Sequence, residues 1–153
     1  MTDKEISQFF ECLGEIWRDI TTIEFFMRCG IAKKEGDIAK LPKPPYTKGK
    51  IYKDYPNSFK QCAFEDILNQ FNAHFSENIK LPKEFMDLRH AMAHGIIADI
   101  DKNGINEIVK FKELKKQQGL EIEFNMPLEL EKLKEIRKSL RNVRMYIGQL
   151  VKD

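Results

Sequence analysis

The stretch Phe85-Met86-Asp87-Leu88-Arg89-His90-Ala91-Met92-Ala93-His94-Gly95 decides how this chain is read. It holds two of the three histidines and the only arginine between Arg28 and Arg137. Pro82 suits the first turn of a helix, and Gly95 suits its C-terminal end. On a 3.6-residue period Phe85, Leu88, Met92 and Ile96 form an apolar stripe. Asp87, His90 and His94 fall on the opposite side, the two histidines one turn apart. Arg89 sits at the edge of the stripe, toward the histidines. A polar cluster of this kind at the last turn of a short helix asks for a chemical reason.

Upstream, Thr2 and Glu5 have the spacing of a capping box. Ile6, Phe9, Leu13, Ile16, Ile20, Ile23 and Met27 then repeat in steps of three and four, which predicts an amphipathic helix of about seven turns ending at Cys29-Gly30. Phe10 and Trp17 make a second apolar row, so the band is wide enough for a bundle core plus a partner surface. Residues 31–57 hold four prolines and two glycines and should carry no helix. Seven lysines stand there against Glu35, Asp37 and Asp54, interleaved with Tyr46, Tyr52 and Tyr55. Such a loop reads as a solvated connection pinned by its tyrosines, or as a nucleic-acid contact in which Lys48 and Lys50 meet phosphates. Ser58 with Gln61 has the form of another capping box, and Phe64, Ile67, Phe71 and Phe75 predict a second helix over 59–76. His74, near its end, reads as a packing residue.

Downstream the period changes to two. Residues 96–100 and 105–112 around Asn103-Gly104 predict a hairpin. Leu120, Ile122 and Phe124, alternating with glutamates, predict a half-buried strand after a turn at 115–119. Pro127 is expected to open the last helix, with Leu133, Ile136, Leu140, Val143, Ile147 and Leu150 facing the core. Arg137, Arg141 and Arg144 border that face, with Lys134 and Lys138 just beyond. They read equally as a solvated face with stems packed over the core and as a phosphate track. The fold class is therefore mainly α: a four-helix up-down bundle with a small antiparallel hairpin or sheet, 96–124, inserted before the last helix.

The chain of 153 residues reads as a single domain, 1–153, with 42% hydrophobic and 33% charged residues. A net charge of +2 places any nucleic-acid affinity in local patches. No apolar run approaches the roughly 18 residues of a membrane span. The opening Met-Thr-Asp-Lys-Glu has no signal-peptide core, so a cytoplasmic protein without membrane partners is expected. Cys12, Cys29 and Cys62 are odd in number and read as buried free thiols.

Two histidines and an arginine, with no nucleophile triad and no phosphate loop, suffice for one chemistry: cleavage of RNA by its own 2′-hydroxyl. A histidine moves the proton and the arginine stabilises charge on phosphorus, with no cofactor or metal required. Arg89 and His94 lie about 140° apart around one helix, so one copy presents them awkwardly and two copies across a two-fold axis would complement each other.

Arg89-His90-x-x-x-His94 resembles the Rx4–6H motif of the HEPN domain family. The order of elements is similar too: two long helices, the motif ending the third, and a fourth long helix. The resemblance implies a metal-independent endoribonuclease, active as a homodimer with a composite site, serving as a toxin or anti-phage effector beside an antitoxin or defence-system partner. It implies that Arg89 binds the scissile phosphate, His94 is the acid/base, and His90 orients or assists. HEPN toxins paired with nucleotidyltransferase antitoxins carry a tyrosine two positions after the motif histidine; here Ile96 stands there, and that pairing is not implied. Two other readings stay open. His90 and His94, with Asp87 on the same stripe, have the spacing of a zinc site needing a further ligand such as His74. The chain also fits a non-catalytic module of the same fold that binds RNA, a nucleotide or a protein, its arginine and histidines merely satisfying helix ends.

Overall fold

In a computed structural model that describes residues 2–98 and 106–153, the chain is mainly helical. Its elements are α1 (Asp3–Lys34), α2 (Phe64–Phe75), α3 (Lys83–His94), β1 (Ile96–Ala98), β2 (Asn106–Leu114), β3 (Gly119–Leu128) and α4 (Leu130–Lys152). Short 3-10 turns lie at Ile38–Lys40 and Asn57–Phe59. None of the described helices is long and apolar enough to cross a membrane. The chain divides into two compact units, Met1–Ile20 with Leu81–Arg141 and Thr21–Lys80 with Asn142–Asp153.

The first unit holds the N-terminal half of α1, α3, the sheet and the start of α4. Thr2 caps α1 as its spacing requires: the Glu5 amide donates to Thr2 Oγ1 at 3.3 Å, and the Thr2 amide donates to Glu5 Oε2 at 2.7 Å. Phe9, Leu13 and Ile16 are buried, as are Phe85, Leu88 and Ala91 of α3 and Leu133, Ile136 and Leu140 of α4. On α3 it is Ala91, not Met92, that completes the buried stripe; Met92 is half-buried. The sheet is antiparallel with strand order β1-β2-β3, and α3 packs on β2 and β3. A Cβ on Gly95 would fall well inside contact distance of Ile108 Cγ2 and 2.6 Å from the Ala91 carbonyl oxygen. The absent side chain is what lets the end of α3 close on β2.

Three expectations for the sheet are corrected. The insertion runs to Leu128, and Pro127 lies in β3 opposite Glu107, not in the helix. β3 is an edge strand, where a residue lacking an N–H is tolerated, and α4 begins at Leu130. Leu120 and Ile122 are 68% and 62% exposed, not half-buried. The cause is a register shift: Lys110 pairs with Phe124 but Phe111 with Ile122, so Glu123 is an extra residue in β3. The bulge reverses the side-chain alternation. Phe124, Met126 and Leu128 share the inner face of the sheet with Ile108, whereas Leu120 and Ile122 join exposed Phe111 on the other. Asn103-Gly104, the expected hairpin turn, lies outside the described residues.

The second unit corrects the helix ends. α1 does not stop at Cys29-Gly30; Gly30 is a mid-helix residue whose would-be Cβ meets Val151 Cγ2 at 2.8 Å and the rings of Phe71 and Phe75 at 3.1 Å. It is there for close packing, and the chain turns instead at Gly36, with φ +78°. Ser58 caps no helix. It is buried, and its hydroxyl donates to the Arg28 carbonyl at 2.8 Å, while the Arg28 guanidinium donates to the Ser58 and Lys60 carbonyls. α2 consequently starts at Phe64, with Ile67 and Phe71 buried and Phe71 stacked on Phe75 at 4.3 Å. Of the loop tyrosines only Tyr52 is half-buried, with Lys50 over its ring at 5.0 Å. The cysteines are unpaired, but only Cys12 is fully buried; Cys62 is exposed.

The glycines give a paired test. Gly14 is helical with nothing within 4 Å of a would-be Cβ. Gly14→Ala should raise the melting temperature by a few degrees, from about 1 kcal/mol of helix propensity. Gly30→Ala and Gly95→Ala should lower it, since overpacking costs about 1–3 kcal/mol. Thermal unfolding followed by circular dichroism checks all three signs.

Candidate functional site

α3 presents its polar side at its last two turns. Pro82 precedes the helix in extended backbone, and Gly95 ends it, its amide donating to the Ala91 carbonyl at 2.6 Å. His90 and His94, one turn apart, are both exposed, with ring centroids 5.0 Å apart and planes inclined by 58°. Arg89 is half-buried and its side chain is engaged, not loose in solvent. Asp87 is half-buried. The His90 ring meets Phe124 of β3 edge to face at 6.2 Å. On the same face of the sheet Lys110 donates to Glu123 at 2.7 Å. That hydrogen bond holds the Glu123 carboxyl below its ordinary range, aided by the charges of Lys110, Lys112 and His90.

The structure thus brings His90 and His94 together and gives His90 a neighbour, Phe124, that the sequence pattern places only in a strand. The signal existed: Phe124 is the one aromatic of the β3 alternation. It needed the bulge at Glu123 to be read as facing α3. Asp19 is a second residue that no sequence motif marks. Its side chain is fully buried, 3.3 Å from the Arg18 guanidinium. Its place between Ile16 and Ile20, at a core-facing step of the helix, was the available clue.

Of the basic residues expected to bind RNA, Arg137, Arg141, Lys134 and Lys138 lie in the same unit as α3. Arg137 and Arg141 both donate to Glu15 Oε2, at 3.2 and 3.4 Å, so two members of the arginine stripe converge on one carboxylate. Lys134 bonds Glu131 of its own helix at 2.6 Å, and Lys138 is exposed. Arg144, Lys48 and Lys50 belong to the second unit. There Arg144 borders an apolar groove with Phe26, Met145 and Gly148. His74 also lies in that unit, 3.2 Å from Glu35. Among the described residues no three His, Cys, Asp or Glu side chains gather as a metal ion would require. Behind α3 an apolar cavity of about 230 Å³ is lined by Leu13, Ala91, Met92, Gly95, Ile97 and Ile108; among the described residues it has no polar side chain to orient a ligand.

No family model, curated protein or solved structure matches this chain.

The Glu123 carboxyl gives a measurable check on the local electrostatics. A depressed carboxyl contributes stability above its unfolded pKa and loses it as pH falls through the folded value. Carbon-detected NMR titration should show Glu123 ionising below the usual glutamate range, and Lys110→Ala should return it toward that range. No change in Lys110→Ala would mean that the ion pair is not formed in solution.

Proposed function

We propose that this protein is a metal-independent endoribonuclease of HEPN type, acting as a homodimer. The observation that carries the reading is the exposed His90–His94 pair on the last two turns of α3, with Arg89 next to it in sequence. In this reading the four helices form an up-down bundle and two α3 ends face each other across the dimer axis. Arg89 of one protomer and His94 of its partner then flank one phosphate. The 2′-oxygen attacks phosphorus, its proton passes to a base, the bond to the 5′-oxygen breaks, and that oxygen receives a proton. The products are a 2′,3′-cyclic phosphate and a 5′-hydroxyl. Imidazoles serve both transfers, and a guanidinium stabilises the added negative charge on phosphorus. His90, 5.0 Å from His94, orients or assists it. Arg137, Arg141, Arg144, Lys134, Lys138, Lys48 and Lys50 would contribute at most to general phosphate attraction, the first two only after release from Glu15. A role as a toxin or anti-phage effector follows from the same resemblance.

Mixed RNA incubated with the protein in excess EDTA should be cut to cyclic-phosphate ends. Arg89→Ala and His94→Ala should each lower the rate about 10²- to 10³-fold. Co-expression of these two inactive variants tests the composite site. Heterodimers would rebuild one of two sites, returning about a quarter of wild-type activity. Equal cutting by wild type and both variants would point to a contaminant. Full loss in the variants with no rescue would place both residues within one subunit's site.

A further inference from the structure

The sheet inserted after α3 has a face that the motif alone does not explain. β2 alternates without interruption, so Ile108, Lys110 and Lys112 lie on one side of it. The bulge at Glu123 puts Phe124 on that same side, opposite Lys110. This is the side on which the His90 ring meets Phe124, at 6.2 Å. From the histidine pair outward, the surface therefore runs imidazole, phenyl ring, lysine, lysine. Beyond residue 110 the sheet is only two strands wide, because β1 pairs no farther than Val109. Phe124 is half-buried and Lys112 exposed. Lys110 is taken up by Glu123 at 2.7 Å, whereas among the described residues Lys112 makes no such ion pair. Glu121 faces Lys112 across the strands.

We propose that this face of the β2–β3 ribbon, where it runs on past β1, is the floor on which an unpaired RNA strand lies, with Phe124 stacking a base and Lys112 holding a phosphate beside the histidine pair. The proposal deepens the ribonuclease reading and rests on it for the choice of RNA. An aromatic ring and a cation next to each other are what a single strand needs: one π-face per base and one charge per phosphate. Bases inside a duplex are stacked on each other and cannot reach Phe124, so the floor selects unpaired RNA. Glu123 works against binding in two ways. It occupies Lys110 and it sets a negative charge beside the phosphate path. Glu123 thus limits affinity at this surface and keeps the contact to a few residues.

The test uses a 2′-O-methyl oligonucleotide, whose blocked hydroxyl removes cleavage from the measurement. Phe124→Leu should weaken binding of an unpaired strand about tenfold, as loss of one base–aromatic stack does. Lys112→Ala, at an exposed position where folding is not at stake, should reduce the slope of log Kd against log salt by about 0.7. Glu123→Gln should tighten binding about threefold at low salt by releasing Lys110. A duplex of the same sequence should bind at least tenfold more weakly than the strand. Unchanged Kd and salt slope in Phe124→Leu and Lys112→Ala, or no binding to wild type, would overturn the proposal; cleavage of natural RNA lost in His94→Ala would leave the nuclease reading intact. Weakened binding in both variants, with no cleavage by wild type, would support the floor and remove the nuclease.

Discussion

The close approach at Gly95 is the constraint on which the first unit depends. A helix that ends against a strand has to bring its last carbonyl groups and a side chain of the sheet into the same space. Here the conflict is avoided because residue 95 has no Cβ, and Ile108 fills the volume one would take. The end of α3 is thereby fixed on β2. His90, a little over one turn earlier, is brought to Phe124, and His94 is left at the rim. A short polar motif at a fraying helix end would have no defined surroundings. Held this way, it has a wall on one side and solvent on the other.

Most of what periodicity can express was legible in the residues. The α1 cap, the three-four steps of α1 and α4, the bounds of α3 and the change to a two-residue period after it all appear where the pattern places them. What was not legible follows from interactions distant in sequence. Gly30 looks like a helix terminator, yet it is a contact point for Val151, Phe71 and Phe75, which no local pattern reports. Ser58 has the sequence form of a cap, but Arg28 takes its hydroxyl and its carbonyl for a bridge across thirty residues. Pro127 is as acceptable on an edge strand as at a helix start, and only strand order separates the two. Leu120 and Ile122 obey the alternation of a buried strand, and the bulge at Glu123 turns them outward.

Of the candidate site, the sequence located α3 with Arg89, His90 and His94, but not what surrounds them. Charge along a helix is visible in a sequence; what neutralises it is not. Arg137 and Arg141 read equally as a solvated face and as a phosphate track, and both donate to Glu15, 122 and 126 residues away. The reverse holds for Phe124, Lys110 and Lys112, which carry no recognisable motif. They matter only because strand pairing sets them beside the histidines.

The bulge has a second effect, on how the hairpin behaves among other molecules. Turning Leu120 and Ile122 outward leaves β3 an outer strand with greasy side chains next to unpaired backbone, which is the composition of a template for fibres. The same extra residue kinks that strand, two glutamates flank Ile122, and Pro127 withholds an amide near its far end. A neighbouring copy offered that margin would find a broken ladder and like charge. The ribbon can thus expose hydrophobic surface without seeding a polymer.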